Sequence, residues 1–313
     1  MKKISIVTGC FNEEENVEAL IRRIREVMEK LPQYSYEHIL IDNHSSDDTV
    51  AIIKSLSKDD KRIKLIVNAR NFGVVRSGYH GFLQGKGDCV IALASDLQDP
   101  PELIPELLEK WEEGFKVALL VKPDSEELWP MSAIRKYYYK LVTSISEIPL
   151  VRNATGAGLY DKVVVEILRS IDDPYPYIRG LVSEIGFPIA KIPFVQPRRT
   201  HGITKNNFYS LYDMAMLGII KHSKVPLRLM TMSGFFLSII SILVAFFFLG
   251  MKLLFWDSFT MGMAPLLLGI FFFASVQITM MGVLGEYIGS IHTHVRKLPL
   301  VVEQERVNFE EAD

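Results

Sequence analysis

A strongly apolar run at 89–94, CVIALA, leads directly into a group of polar side chains. Asp96, Gln98 and Asp99 follow it, and then come two prolines and an amphipathic helical pattern. If the segment is extended, the side chains of Asp96 and Gln98 point the same way, so their oxygens can converge on one cation. Oxygen ligands favour a hard ion, Mg²⁺ or Mn²⁺, that keeps other positions for water and phosphate. Asp99 is expected instead to cap the helix that follows, which has Pro101 in its first turn.

The first part of the chain alternates short apolar runs with segments of helical periodicity. The runs typical of buried strands are ISIVT at 4–8, HILID at 38–42, IKLIV at 63–67, CVIALA at 89–94 and VALLV at 117–121. Continuous apolar strands separated by amphipathic helices predict an α/β fold, with a mostly parallel sheet and helices on both faces. In such sheets ligands bind outside the carboxyl ends of the strands. Because CFNEEEN, DNHSSDD and SDLQD follow the first, second and fourth runs, the sequence predicts one shared site there.

Two segments near the C-terminus, 229–251 and 258–285, contain no charged side chain. A helix needs about 20 such residues to cross a bilayer, so the sequence predicts a hairpin of two transmembrane helices. A buried helical hairpin in a soluble core is the alternative, but soluble helices normally have a polar face. Between the first domain and this hairpin, 206–228 has apolar residues at helical spacing and basic residues at its end. That pattern is typical of an interfacial helix on an anionic membrane, although a helix packed on the soluble domain is also possible.

These patterns divide the chain into a domain at 1–205, an interfacial region at 206–228, a transmembrane pair at 229–285 and a tail at 286–313. Within the tail, 286–304 is a candidate for another surface helix. The short connection WDSFT between the two spans has one acid and no base, whereas basic residues flank the pair on its outer sides. They are Lys221, Lys224, Arg228, Arg296 and Lys297. The positive-inside rule then predicts a multi-pass protein of the inner (plasma) membrane, with both termini and the first domain in the cytoplasm.

Composition excludes several other classes of protein. The formal net charge of −2 gives no reason to expect nucleic acid as a partner. Cys10 and Cys89 are the only cysteines, so they cannot form a disulfide framework or a zinc cluster, and buried free thiols are expected. The N-terminal apolar run is too short for the core of a signal peptide and is followed by an acidic tract.

Four motifs occur in a fixed order along the chain. They are GCFNEEEN at 9–16, IDNHSSD at 41–47, RNFG at 70–73 and SDLQDPP at 95–101. In this order the chain resembles a family-2 glycosyltransferase with the Rossmann-like GT-A fold, which binds nucleotide sugars. With two C-terminal spans it is most similar to the polyprenyl-phosphate glycosyltransferases, especially the bactoprenol glucosyltransferases of the GtrB type. The resemblance extends from about Ile4 to about Pro299.

The resemblance implies a role for each matching residue. Asp42 corresponds to the acid that holds the uracil or ribose, and the first loop borders the nucleotide. Asp96 and Gln98 correspond to ligands of the Mg²⁺ or Mn²⁺ ion on the donor diphosphate, which makes Asp96 a candidate catalytic residue. The implied donor-binding residues are Gly9, Phe11, Glu13, Asp42, Asn43, Arg70, Asn71 and Asp96.

The chain departs from the family pattern at several positions. The usual proline of the first loop is Gly9, and the basic residue often found after RNFG is Val74. Two acids of the pattern are absent as well. Ala94 stands in place of the first acid of the Asp-Ala-Asp pattern, and the acid that many relatives carry in the acceptor-side loop, at or just before the position of Ala157, is missing. The nearest acid to that loop is Asp161, for which a catalytic role and a helix N-cap are both open.

Basic segments after this loop match those of the family near the acceptor. YIRGLVSEIGF and PRRTHGITK come shortly before the interfacial region, where a membrane-borne phosphate would arrive. Arginine suits bidentate recognition of phosphate, although a general positive collar at the bilayer accounts for some of these residues. The candidate acceptor-phosphate residues are Arg179, Arg198, Arg199 and Lys205.

The resemblance implies transfer of a hexose, glucose from UDP-glucose, to undecaprenyl phosphate. The lipid product would be a sugar donor for modification of cell-surface glycans such as the O-antigen of lipopolysaccharide. A phosphomonoester has a second pKa of about 6, so the acceptor needs no protein base and an inverting in-line displacement is expected. Transfer of mannose, N-acetylglucosamine or an aminosugar is an alternative, and Ala94 and Ala157 also allow a non-catalytic nucleotide-sugar sensor or scaffold. Relatives of this type form assemblies, and Gly262, Gly269 and Gly282 permit close helix packing in a homo-oligomer.

Overall fold

The computed structural model describes residues 1–122, 151, 153–197, 223–255 and 263–309. The predicted acceptor residues Arg198, Arg199 and Lys205 lie outside the described residues, and so do 206–222 of the predicted interfacial region. Within the described residues, helices and strands alternate from the N-terminus as the apolar pattern predicts.

The strands are β1 (Lys2–Cys10), β2 (Tyr34–Asp42), β3 (Ile63–Asn68), β4 (Cys89–Ala94), β5 (Val117–Val121), β6 (Ala154–Asp161), β7 (Ile189–Pro193) and β8 (Glu303–Val307). The α-helices of the first part are α1 (Val17–Glu29), α2 (Thr49–Asp59), α3 (Val74–Leu83), α4 (Ile104–Glu112), α5 (Lys162–Ser170) and α6 (Ile178–Ile185). One 3₁₀ turn (Pro101–Leu103) precedes α4, and two long apolar helices follow, α7 (Val225–Leu254) and α8 (Met263–Val295).

All eight strands form one sheet in the order β7-β5-β6-β4-β1-β2-β3-β8. The strands β4, β1, β2 and β3 are parallel neighbours, while β6 and β8 run antiparallel to the strands beside them. The predicted α/β fold with a mostly parallel sheet is therefore confirmed. Since β1 to β4 run the same way, the polar segments that follow them meet at one edge of the sheet.

Helices cover both faces of this sheet, as predicted. On one face, Ile6 of β1 and Ile91 of β4 pack in a cluster with apolar residues of α1 and α4. On the other face, Val7 of β1 packs in a cluster with apolar residues of α3, α5 and α6. Successive residues of β1 therefore face opposite helical layers, which explains why its apolar run is continuous rather than alternating.

The C-terminal segment adds a strand to the sheet of the first domain. β8 pairs antiparallel with β3, with Leu65 opposite Val307 and Ile66 opposite Arg306. The surface helix expected at 286–304 is not formed as a separate element, because α8 continues to Val295 and the chain then enters this strand. EQERV has charged residues at most of its positions, so its sequence gave no strand signal. An edge strand with one covered side tolerates such residues.

The two long helices are apolar and exposed along their described length. A window of 18 residues within Val225–Leu254 has a mean hydropathy of 2.5, and one within Gly269–Val295 of α8 has a mean hydropathy of 1.4. No residue of α7 is buried, and large side chains such as Phe235 and Phe271 are each 69% exposed. A helix in a soluble core would be buried, so the alternative of a buried hairpin is not supported. Both helices are long and apolar enough to cross a membrane.

Candidate functional site

The loops after β1 and β2 are joined by reciprocal hydrogen bonds. The backbone N–H of Asn12 donates to Ser45 Oγ at 2.8 Å, and the N–H of Ser46 donates back to Asn12 Oδ1 at 2.8 Å. The N–H of Glu13 donates to Thr49 Oγ1 at 2.8 Å, at the start of α2. Asn12 has a φ of 54°, in the left-handed region that asparagine tolerates. The two loops therefore form one ordered wall at the carboxyl edge of the sheet.

Asp42 ends β2 within this wall and is fully buried. Its carboxylate accepts hydrogen bonds from the Ser45 N–H, at 2.9 Å, and from the Ser45 hydroxyl. A buried carboxylate needs such donors to offset its lost hydration. The next residue, Asn43, donates its N–H to the carbonyl oxygen of Cys10 at 2.9 Å, which continues the pairing of β1 with β2 beyond the strand end. Asp42 is thus held rigidly beside the loop that follows β1.

Asn43 connects this wall to the RNFG segment after β3. Its Nδ2 donates to Asn71 Oδ1 at 2.9 Å, and its Oδ1 accepts from the Phe72 N–H at 2.9 Å and from Asn68 Nδ2 at 3.2 Å. Asn71 Oδ1 also accepts from the N–H of Gly73 at 2.8 Å, where the chain has a φ of 85°. This positive φ favours glycine and lets α3 begin at the next residue. Asn43 and Asn71 together therefore fix the shape of this loop.

Arg70 places an exposed positive charge at the same edge. Its guanidinium lies 4.0 Å from the centre of the Phe72 ring, and that of Arg76 lies 5.5 Å from the same ring. Arg70 Nη1 also donates to the carbonyl oxygen of Asn71 at 3.0 Å. Burial, followed by the nearby charge of Arg70, lowers the pKa of Arg76 from its usual value. Two guanidinium groups therefore flank one aromatic ring where a donor phosphate could be bound.

The segment after β4 turns instead of continuing as a strand, so the extended geometry predicted for Asp96 and Gln98 is wrong. Leu97 between them has a φ of 59°, and its side chain packs on the core beneath. The N–H of Gln98 donates to Asp96 Oδ1 at 3.1 Å, which closes an Asx turn. Both side chains are half-buried at the carboxyl edge of the sheet.

The donor atoms of this turn fit a hard cation that arrives with a ligand. The residues described in the structure include no group of three or more His, Cys, Asp or Glu side chains able to hold a metal. Asp96 and Gln98 offer a carboxylate and an amide oxygen, which are suitable ligands for Mg²⁺ or Mn²⁺. Since these two residues fill only part of the coordination shell, diphosphate oxygens and water would supply the rest.

Asp99 does not cap the following helix, so that prediction is wrong. Pro100 and Leu103 occupy the N-cap positions of the 3₁₀ turn and of α4, and neither position has a side-chain cap. Asp99 instead points inward and is only 5% exposed, with its Oδ2 accepting from the Ala94 N–H at 3.3 Å. Burial raises the pKa of Asp99 to about 6. The inward position of Asp99 was missed because an acid followed by two prolines is a common start of a helix.

A cleft of about 270 Å³ lies beside this turn, between the ends of β1 and β4 and the starts of α3, β6 and α6. Small residues line much of it, including Gly9, Gly78, Ala92, Ala94, Gly156 and Ala157. Arg179 lines it from α6, and its Nη1 donates to the carbonyl oxygen of Ala154 at 3.0 Å. The structure therefore brings Gly9 and Arg179 to one cavity. The glycines of TGAG were the available sequence signal for a close approach at this wall.

Asp161 lies away from this cleft, so a catalytic role for it is a wrong prediction. It pairs with Cys89, the first residue of β4, and therefore lies at the opposite edge of the sheet from Asp96. Its Oδ1 accepts from the Val163 N–H at 2.9 Å, which confirms the alternative of a helix N-cap. Its Oδ2 accepts from Trp111 Nε1 at 2.8 Å and from Lys116 Nζ at 3.0 Å.

Comparison with known proteins finds glycosyltransferases that are similar over most of the chain. Residues 5–167 match the sequence profile described as Glycosyl transferase family 2. An SfII prophage-derived bactoprenol glucosyl transferase of Shigella flexneri is 34% identical over 298 residues, covering 95% of this chain and 96% of that protein. An uncharacterized glycosyltransferase of Synechocystis sp. is 32% identical over 299 residues, covering 95% and 93% of the two chains.

Solved structures are also similar to the chain, at lower sequence identity. The mannosyltransferase PcManGT from Pyrobaculum calidifontis, in complex with GDP-Man and Mn²⁺, has a TM-score of 0.49 and 12% identity, covering 95% of this chain and 86% of that one. Glucosyl-3-phosphoglycerate synthase from Mycobacterium tuberculosis, in complex with Mn²⁺, UDP and glucosyl-3-phosphoglycerate, has a TM-score of 0.43 and 20% identity, covering 70% and 78%.

Proposed function

Because the chain belongs to glycosyl transferase family 2 and is a glycosyltransferase, we propose that it transfers glucose from UDP-glucose to a polyprenyl phosphate. The observation that carries this proposal is the 34% identity to bactoprenol glucosyl transferases over 95% of the chain, including both apolar helices. The match over almost the whole length supports the same kind of acceptor, and the cleft beside Asp96 supports the same kind of donor. An enzyme is therefore favoured over the non-catalytic sensor.

The nucleotide of the donor binds along this wall of two loops and the RNFG segment beside it. Asp42 and Asn43 lie in that wall beside the loop containing Phe11 and Glu13, and Arg70 supplies positive charge. Asp96 and Gln98 would hold a divalent cation, and such an ion would neutralise charge on the leaving diphosphate. The transferred sugar then occupies the neighbouring cleft, which is lined by small residues.

The acceptor phosphate attacks from the side of Arg179. One phosphate oxygen forms a bond to the anomeric carbon while the bond from that carbon to the β-phosphate oxygen of UDP breaks. UDP leaves with the bonding electrons, and the configuration at the anomeric carbon inverts. The attacking oxygen is already anionic near neutral pH, so no proton has to be removed by the protein. The alanine at 157 and the remote position of Asp161 are compatible with such a base-free reaction.

We place this reaction at the cytoplasmic face of the inner membrane. β8 pairs with β3, so the chain must cross the membrane an even number of times between them. The two apolar helices α7 and α8 lie in that interval, which supports a two-helix hairpin with the domain and both termini on one side. Positive charge outside the pair favours the cytoplasmic side. We also propose that residues 1–205 form the glycosyltransferase domain and that residues 206–228 form an interfacial region. The same proposal includes assembly of the protein into a homo-oligomer.

The donor and acceptor can be tested together with purified full-length protein. Undecaprenyl phosphate, Mn²⁺ or Mg²⁺ and a panel of radiolabelled nucleotide sugars are incubated with it, and label is followed into the lipid. We expect transfer from UDP-glucose in preference to UDP-N-acetylglucosamine and GDP-mannose. Preference for another sugar would keep the enzyme class and correct the donor. Donor binding without transfer to lipid from any sugar would contradict the proposed function.

A further inference from the structure

The carboxylate of Asp99 has one oxygen that is satisfied and one that is not. Its Oδ2 accepts from the Ala94 N–H at 3.3 Å, while the Thr155 hydroxyl nearby in the cleft donates to the carbonyl oxygen of Leu120 at 3.4 Å. Its Oδ1 is buried and has no hydrogen-bond partner in the described structure. Leaving a buried acceptor without a donor is costly, and native structures rarely do so without a reason. A ligand that brings a donor into the cleft would remove this cost.

The surroundings of Asp99 favour a neutral hydroxyl over a charged group. Of the residues described as lining the cleft, Asp99 and Arg179 carry the charged side chains. A carboxylate repels phosphate and cannot donate a hydrogen bond when ionised, whereas Arg179 attracts phosphate. The two charged residues of the cleft therefore favour different ligand groups, hydroxyl groups at Asp99 and an anion at Arg179.

The small side chains around Asp99 leave room for a sugar ring. Ala94 and Ala157 both line the cleft with no more than a methyl side chain. Gly156 adds no side chain to the same part of the cleft. Asp99 is the carboxylate that the described lining residues present to the cleft. The cleft therefore combines open space with one buried carboxylate, as ligand pockets combine apolar walls with a few polar groups.

We propose that Asp99 accepts a hydrogen bond from a hydroxyl group of the transferred sugar and is thereby a specificity-determining residue of the donor site. This inference rests on the proposed function, because it takes the ligand of the cleft to be the hexosyl group of a nucleotide sugar. The nucleotide itself is bound elsewhere, by the wall that contains Asp42 and Asn43. Asp99 therefore affects the affinity for UDP-glucose and leaves the affinity for UDP unchanged.

The decisive comparison is the binding of UDP and UDP-glucose to the full chain and to Asp99→Asn, measured by calorimetry in the presence of Mn²⁺. Hydrogen bonds to charged groups predict that the variant binds UDP-glucose about ten- to a hundredfold more weakly, with UDP binding and the Mn²⁺ requirement unchanged. Asp60→Asn is a matched control, because Asp60 pairs with Arg25 and Arg62 outside the cleft. It is expected to bind both ligands as the wild type does.

A second measurement uses the wild type alone and so does not depend on the folding of a variant. UDP-deoxyglucoses that lack one hydroxyl each are compared with UDP-glucose, and one of them should bind at least about tenfold more weakly. For that analogue the Asp99→Asn substitution should have no further effect. Equal weakening of UDP and UDP-glucose in Asp99→Asn, or a changed Mn²⁺ requirement, would overturn the inference in favour of a metal ligand.

The inference and the proposed function fail in different ways. If no single deoxy analogue loses affinity, Asp99 does not bind the sugar, whether or not glucose is transferred to lipid. If the wild type binds UDP-glucose with the predicted dependence on Asp99 but transfers nothing to polyprenyl phosphate, the acceptor is wrong and the sugar contact stands.

Discussion

His80 in α3 lies against Glu303 in β8, with 2.5 Å between His80 Nε2 and Glu303 Oε1, although both apolar helices separate them in sequence. Nearby, Arg76 Nη2 donates to the carbonyl oxygen of Pro299 at 2.6 Å. The segment after α8 is therefore attached to the helix whose first turn borders the cleft. This attachment links the end of the two apolar helices to the proposed donor site, so it restricts the topologies that the chain can adopt.

Together with the proposed hairpin of α7 and α8, the attachment predicts that α2 and β8 lie on one side of the membrane and the connection between the two helices on the other. In intact cells, a membrane-impermeant maleimide should label Asp257→Cys in the connection between the two spans and should not label Lys58→Cys in α2. Cys10 and Cys89 are buried, so the wild type is expected to give a low background. Labelling of both positions only after cell lysis would contradict a membrane-crossing hairpin. Labelling of Lys58→Cys alone in intact cells would show the opposite orientation.

Removing the contact between His80 and Glu303 should loosen α3. We expect Glu303→Ala to lower the free energy of unfolding by roughly 1 kcal/mol, because Glu303 loses its contacts with both His80 and Arg306. The effect is not larger, because Glu303 is only half-buried. Transfer activity should fall as well, since α3 borders the cleft. Thermal unfolding in detergent and the rate of label transfer report these two effects.

Lys54→Ala is the control for this prediction. Lys54 forms an ion pair with Glu305 of the same strand at 2.6 Å, but these side chains are 38% and 42% exposed, about twice as much as those of His80 and Glu303. Its loss should change stability by less than about 0.5 kcal/mol and leave transfer unchanged. Equal effects of the two substitutions would show that the His80 contact has no special importance.

The low pKa of Glu37 predicts that the protein loses stability in acid. Burial by itself would raise its pKa, but hydrogen bonds from Lys3, Ser5 and Lys64 lower it to about 2. Because the folded-state pKa lies below the unfolded value, Glu37 contributes stability above about pH 4.5, and this contribution is lost as pH falls from there toward 2. Glu37→Gln should cost roughly 2 kcal/mol at pH 7 and make unfolding less dependent on pH in that window. Melting curves between pH 3 and 7 check this, and an unchanged pH dependence would contradict it.

The low pKa of His38 predicts a second effect of pH on stability, at higher pH than the effect of Glu37. It is buried beside Thr8, and burial lowers its pKa to about 3. The unfolded chain therefore binds a proton that the folded chain excludes, so stability falls as pH decreases from about 6.5 toward 3. At pH 5 the loss from His38 is roughly 2 kcal/mol relative to pH 7. In His38→Gln this part of the pH dependence should disappear, which chemical unfolding at pH 7 and pH 5 would show.

The elements that depend on local patterns could be predicted from the sequence, and those that depend on distant contacts could not. Continuous apolar runs indicated β1 to β5, and helical spacing indicated the helices between them. β8 was missed, because EQERV becomes a strand only through pairing with β3. A strand whose side chains are mostly charged has no periodic signal of its own.

The site shows the same division. Asp96 lies at the end of a buried strand, where the apolar pattern placed it. The turn at Leu97 and the inward position of Asp99 could not be read from the sequence, because they depend on a left-handed residue and on burial against β6. Asp161 was ambiguous because β6 runs antiparallel to β4, and only the direction of that strand decides which edge of the sheet the residue reaches.

The central claim is that Asp96 supports transfer of glucose from UDP-glucose to a lipid phosphate. The most direct test measures label transfer from UDP-glucose to undecaprenyl phosphate by the wild type, by Asp96→Asn and by Asp161→Asn, with and without a chelator. We expect Asp96→Asn and chelation each to reduce transfer by at least about a hundredfold, because both remove charge neutralisation from the leaving UDP. Folded Asp161→Asn should retain transfer. Undiminished transfer by Asp96→Asn, or wild-type transfer that is insensitive to chelation, would contradict the account.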